Sequence, residues 1–165
     1  MVLMPQADAG KAEVSLRVDD VMTMDVITID ENASVKEAAD VMIKYEIGCV
    51  IALRKGKAIG IITERDLLKR VIVEGKNPKE TKVKEVMSSP LEVITPDTSL
   101  EEALQLMFQK KIKRLPVIYK NRLLGLISLT DIARSQPAII KLLKSFAATY
   151  DPPKSMKKVI DYYIV

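Results

Sequence analysis

The chain has 165 residues, 48% of them apolar and 29% charged, a balance that fits an ordinary soluble globular protein and excludes a disordered one. Histidine is absent and Cys49 is the single cysteine, so no internal disulfide, zinc site, Ser-His-Asp triad or Cys-His pair can be built within one chain. The net charge of +4 lies wholly in residues 134 to 165, which carry six basic and two acidic groups, so the body balances to zero and has no broad basic face for nucleic acid.

Residues 1–13 are set aside as an N-terminal segment. From there "VDDVM" predicts a short helical turn and "DVITID" an extended segment. Ser34 stands three places before Glu37, the signature of a capping box, and Val35, Ala38, Ala39 and Met42 follow at helical spacing. Two extended runs, "CVIAL" and "AIGIIT", are joined through "RKGK", a short polar turn suited to a hairpin. "ERDLLKRVIV" predicts a closing helix, and Gly75 with "KNPKETK" a linker over 75–82.

The same order then returns. "VKEVM", "PLEVIT", the pair Ser99 and Glu102, a stripe of Leu100, Ala103, Leu104 and Met107, "LPVIY", "KNR", "LLGLIS" and "LTDIARS" repeat the first copy at an offset of 65 residues. Val18–Asp66 laid over Val83–Asp131 needs no insertion and gives 13 identities in 49 positions. The expected order per copy is strand, helix, strand, strand, helix, an α+β arrangement of two repeats, 14–74 and 83–135. Copies this small bury little surface alone, so they are expected to pack into one unit. The methionine stripe reads as core filler. Residues 136–165 fall outside the repeat: "PAIIKLLKSFAA", with Pro137 near its start, predicts an amphipathic helix. "YDPPK" breaks it, and "SMKKVIDYYIV" has apolar residues that need cover from the body, a dimer mate or another protein.

Two segments carry most of the functional interest, "GIITERD" at 60–66 and "GLISLTD" at 125–131. Thr63 with Asp66, and Ser128 with Asp131, fit a helix-capping pattern, in which the hydroxyl accepts from first-turn amides and the acid meets the positive helix end. A carboxylate at a helix start beside a hydroxyl is equally an acceptor for two ribose hydroxyls, with helix-end amides for a phosphate. Both readings stand at this level.

Taken together, "VMT…VITI" with "VMSSPLEVIT", "IGCVIAL" with "IKRLPVIY", and "GIITERDL" with "GLISLTDI" resemble a pair of CBS domains, the repeat named after cystathionine β-synthase, forming a Bateman module over roughly Val14 to Ser135. The resemblance implies two β-α-β-β-α repeats around a pseudo-twofold axis. It also implies clefts for adenosine-containing ligands, AMP foremost, with ADP, ATP, S-adenosylmethionine or NAD as alternatives, and disc-like homodimers. Carried over residue by residue, the preferred cleft is that of Asp131 with Ser128, Thr130 and Ile127. Its partners there are Met22, Val26, Ile27, Thr28, Ile47 and Gly48, with Lys113 and Arg114 as phosphate contacts. The second cleft is that of Asp66 with Ile62, Thr63, Arg65, Met87, Leu91, Glu92, Val93 and Ile112. Gly48 and Cys49 stand where the other repeat has Lys113 and Arg114, and Glu92 adds negative charge, so this cleft is expected to be the weaker. Lys110 and Lys111 are equally explained as a solvated helix end.

The functional expectation is a cytoplasmic, non-catalytic adenine-nucleotide sensor, without metal or membrane, that signals to a partner protein. Two other readings remain: a nucleic-acid-binding regulator using the basic tail, and a structural dimerisation module with vestigial clefts.

Overall fold

Local chemistry sets the elements in pairs. In this computed structural model residues 15–135 and 138–164 are described. The segment 1–13, and Pro137, expected near the start of the first tail helix, lie outside the described residues. Ser34 caps α2 (Val35–Lys44), its Oγ accepting from the Glu37 amide at 3.1 Å while the Glu37 carboxylate accepts from the Ser34 amide at 2.7 Å. Ser99 and Glu102 do the same for α5 (Leu100–Lys110).

The hairpins form for an equally local reason. β2 (Cys49–Arg54) and β3 (Lys57–Thr63) turn through Lys55 and Gly56, at φ 49° and 76°. β4 (Arg114–Tyr119) and β5 (Arg122–Ser128) turn through Lys120 and Asn121, at φ 49° and 61°. Two successive positive φ values are what a two-residue hairpin turn requires. α3 (Glu64–Leu67) continues through a π-type turn, Leu68–Ile72, and α6 (Leu129–Ser135) closes the second copy.

The copies differ at their first strand. β1 (Thr28–Asp30) pairs in parallel with β2, and the Ile51 amide donates to Ile27 O at 3.2 Å. The equivalent of Ile51 in the second copy is Pro116, which has no amide to donate. There the strand expected from "PLEVIT" shrinks to one parallel bridge, Ile94 to Val117.

The short opening helices cross over. α1 (Val18–Val21) buries Val18 in the core of the second copy, and the Val18 amide donates to Thr98 O. α4 (Val83–Val86) buries Val83 and Val86 in the core of the first, and the Val83 amide donates to Ala33 O. Met22 and Met87 follow the same exchange. A Cβ on Gly125 would lie 2.6 Å from Met22 Sδ, and one on Gly60 would collide with Met87 Sδ in the same way. The glycine of each "GIITERD" or "GLISLTD" motif is thus a contact surface for the other copy, and the two copies form one interlocked unit. The structural halves therefore do not follow the sequence halves 14–74 and 83–135. Met42 and Met107 are buried in the two cores, at the positions their stripe indicated.

α7 (Ile139–Tyr150) and α8 (Lys154–Ile164) pack mainly on the second copy. α7 lies on α5 and α8 on α6, burying Leu143, Met156 and Ile160. Phe108 on α5 stacks with Phe146 at 5.7 Å and Tyr150 at 6.4 Å and is fully buried. Its counterpart 65 residues earlier, Ile43, is 80% exposed, and Leu68, Ile72 and Val73 on the α3 side are exposed as well. Among the described residues, no comparable cover lies over the first repeat.

Candidate functional site

At the end of β3, extended backbone at Thr63 (φ −115°) turns into α3. Asp66 Oδ2 accepts from the Thr63 amide and hydroxyl, both at 2.9 Å, and the Asp66 amide donates back to Thr63 Oγ1 at 3.2 Å. Ser128 and Asp131 repeat this arrangement at 2.9, 2.7 and 3.1 Å. Capping uses one carboxylate oxygen in each copy and leaves the other for a further partner. For Asp66 that partner is Arg70, whose Nη2 lies 3.4 Å from Oδ1. Arg70 is itself held by Val86 O and Ser88 Oγ. The equivalent of Arg70 is Ser135, which donates to Ile132 O instead. Asp131 Oδ1 consequently has no hydrogen bond or ion pair among the described residues.

A cleft of about 330 Å³ opens beside Asp66, a size at the lower end of small-molecule sites. Of the residues expected there, Thr63, Arg65, Asp66, Leu91, Glu92 and Ile112 line it. Met87 does not, being packed against the core of the first copy, and Val93 is 42% exposed elsewhere. Ile62 is fully buried in that core. Its neighbour Ile61 faces the cleft, as period-two alternation requires once Ile62 points inward.

The main correction concerns the cations. Lys113 and Arg114, together with Lys111, line the Asp66 cleft and so do not belong to Asp131 alone. The cause is steric. Arg114 enters β4 opposite Ser128, and its guanidinium reaches across to Gly48 of the first copy. A Cβ on Gly48 would sit 3.0 Å from Arg114 Nη2 and 3.4 Å from Glu64 Oε2. The small pair Gly48 and Cys49, which suggested a missing cation, is the space that the other repeat's cation fills.

Electrostatics sharpen this site. Burial lowers the pKa of the Lys113 ammonium from its ordinary value, and the positive charges of Arg114 and Arg65 lower it further, with Glu64 opposing them. Among the described residues, none of Arg65, Lys111, Lys113 and Arg114 has a carboxylate within 4.0 Å. Glu92 pairs with Lys110 at 2.9 Å, which offsets part of the negative charge expected to weaken the cleft. Four positive groups thus face a wall of Ile61, Pro90, Leu91 and Ile112.

Residues expected around Asp131 are dispersed. Val26 and Thr28 line a second cavity of about 430 Å³ between the two hairpin tips, near Lys57 and Arg122. Ile27 and Ile47 pack against the core of the first copy, Met22 against that of the second, and Ile127 is fully buried. Thr130 is half-buried in the first turn of α6. Ser155 of α8, outside the repeat, lines the Asp66 cleft without any signal in the sequence. Among the described residues no group of three or more His, Cys, Asp or Glu could hold a metal ion, and no helix is long and apolar enough to cross a membrane.

The duplicated architecture has a known counterpart. The family model described as CBS domain matches residues 18–73 and 83–137. The chain belongs to the CBS-domain family. Its relatives include the CBS domain-containing protein YhcV of Bacillus subtilis, 39% identical over 119 residues, which cover 72% of this chain and 84% of that protein. The inosine-5'-monophosphate dehydrogenase of Methanocaldococcus jannaschii is 38% identical over 120 residues, 72% of this chain and 23% of that enzyme. Among solved structures, the hexameric CBS-CP12 protein from bloom-forming cyanobacteria is similar with a TM-score of 0.70 and 27% identity, covering 92% of this chain and 98% of that one. A CBS pair is in general a regulatory module that binds adenosine-containing ligands.

Proposed function

We propose that this CBS pair is a non-catalytic sensor of an adenine nucleotide held in the Asp66 cleft. The observation that carries the reading is the set of four cations, Arg65, Lys111, Lys113 and Arg114, gathered around a capped aspartate and an apolar wall, with no carboxylate within 4.0 Å of any of them among the described residues, although Glu64 and Glu92 also line the cleft. Adenine fits the wall of Ile61, Leu91 and Ile112. A ribose hydroxyl takes Asp66 Oδ1 in place of the 3.4 Å contact with Arg70, and the phosphate meets Arg114 and Lys113. Asp131 has the less engaged carboxylate but does not line this cleft, so it takes the weaker role. AMP is the first ligand to test, then ADP and ATP, with S-adenosylmethionine and NAD as competitors. Calorimetric titration is expected to give saturable heat with at least one of the three nucleotides. No heat with any of them would leave a structural module with vestigial clefts.

Self-association is the second element of the proposal. Ile43, Leu68, Ile72 and Val73 are exposed apolar residues of the first repeat, whereas Phe108 and Ala133, the counterparts of Ile43 and Leu68, are buried where α7 and α8 pack. A second copy, meeting the first through the same face, is the occupant we assign, in keeping with the hexameric state of the CBS-CP12 relative. Wild-type protein is expected to sediment as a dimer or a multiple of it, and Leu68→Asp with Ile72→Asp as a monomer of unchanged helicity. A wild-type monomer at micromolar concentration would refute the assignment.

A further inference from the structure

We propose that the C-terminal hairpin completes the ligand cleft, with Ser155 contacting the bound nucleotide and α8 registering its presence; this rests on the reading of the Asp66 cleft given above. Four other hydroxyls at helix starts, on Ser34, Thr63, Ser99 and Ser128, are engaged in capping boxes. Ser155 is different. It sits in the first turn of α8, where Pro153 O accepts from the Met156 and Lys157 amides, and its half-buried hydroxyl has no partner among the described residues. That hydroxyl lines the same cleft as Lys111, Lys113 and Arg114.

The corner before α8 is held internally by an ion pair. Asp151, in left-handed backbone at the end of α7, accepts from Lys157 Nζ at 2.7 Å. That bond lowers the Asp151 pKa, and the charges of Lys157 and then of Lys111 add to the effect. Lys111 is the left-handed residue that ends α5, the helix on which α7 lies. The run 111–114 therefore follows directly from the helix that holds the hairpin, and a phosphate accepting from Ser155 and from this run ties the hairpin to the repeat. The extension becomes the part of the chain whose mobility depends on occupancy.

The test combines affinity with hydrogen exchange, using AMP and ATP as probes on the full chain. Saturating nucleotide is expected to slow amide exchange in the first turn of α8. Ser155→Ala is expected to weaken binding about threefold to tenfold, the value of one ordinary hydrogen bond. Ser155→Glu, which sets a carboxylate against the phosphate, is expected to weaken it more than tenfold with an unchanged melting temperature. Wild-type affinity in both variants, with exchange in α8 unaffected by ligand, overturns this proposal and leaves the cleft reading intact. Absence of nucleotide binding by the wild-type chain overturns both.

Discussion

Arg114→Ala is expected to weaken AMP binding about a hundredfold, while Asp131→Ala changes it by no more than about twofold. A guanidinium makes up to two charge-assisted hydrogen bonds to a phosphate, each contributing roughly 1.5 kcal/mol or more, and about 1.4 kcal/mol is a factor of ten in affinity. Arg114 is well placed for that role because its guanidinium lies in the Asp66 cleft over Gly48, with no carboxylate within 4.0 Å among the described residues. Arg114→Lys is expected to recover part of the loss, since it keeps the charge and loses the planar fork. Calorimetry on the three variants reads the result. The reverse pattern, with Asp131→Ala abolishing binding and Arg114→Ala silent, would restore the other cleft as the site.

Phe108→Ala is expected to destabilise the chain by about 3 to 5 kcal/mol, and Ile43→Ala by no more than about 0.5 kcal/mol. The two residues occupy the same position in the two repeats. Phe108 is fully buried in an aromatic cluster with Phe146 and Tyr150, whereas Ile43 is 80% exposed. Truncating Phe108 removes a large buried ring and leaves a cavity between α5 and α7, whereas truncating Ile43 removes surface already in contact with water. Urea unfolding, with both substitutions made in the monomeric Leu68→Asp, Ile72→Asp background, separates this effect from self-association. Equal costs would mean that α7 does not cover Phe108 in solution.

Local features of the fold are legible in the chain because their chemistry is local. A serine three residues before a glutamate makes the same capping box twice, and Lys-Gly or Lys-Asn between two apolar runs makes the same hairpin twice. The weaker first strand of the second repeat is legible too, although only when Pro116 is compared with Ile51, whose amide bonds to Ile27. Ile61 is a residue that strand alternation points to once Ile62 is assigned to the core. Ser155 is not of that kind, since no repeat pattern or spacing relates it to position 66.

The duplication, the capped aspartates and the cationic run of Lys111, Lys113 and Arg114 are properties of residue order, because each depends on neighbours a few positions apart or on an offset of 65. Which cleft receives the cations is not. Side-chain direction across a pseudo-twofold axis depends on what stands opposite, and Gly48 opposite Arg114 leaves the room that draws the guanidinium toward Asp66. Likewise the identical offset that equates Ile43 with Phe108 says nothing of α7, which packs on one of them and leaves the other bare. Sequence symmetry governs the backbone of each repeat, and the filling of space between repeats breaks it.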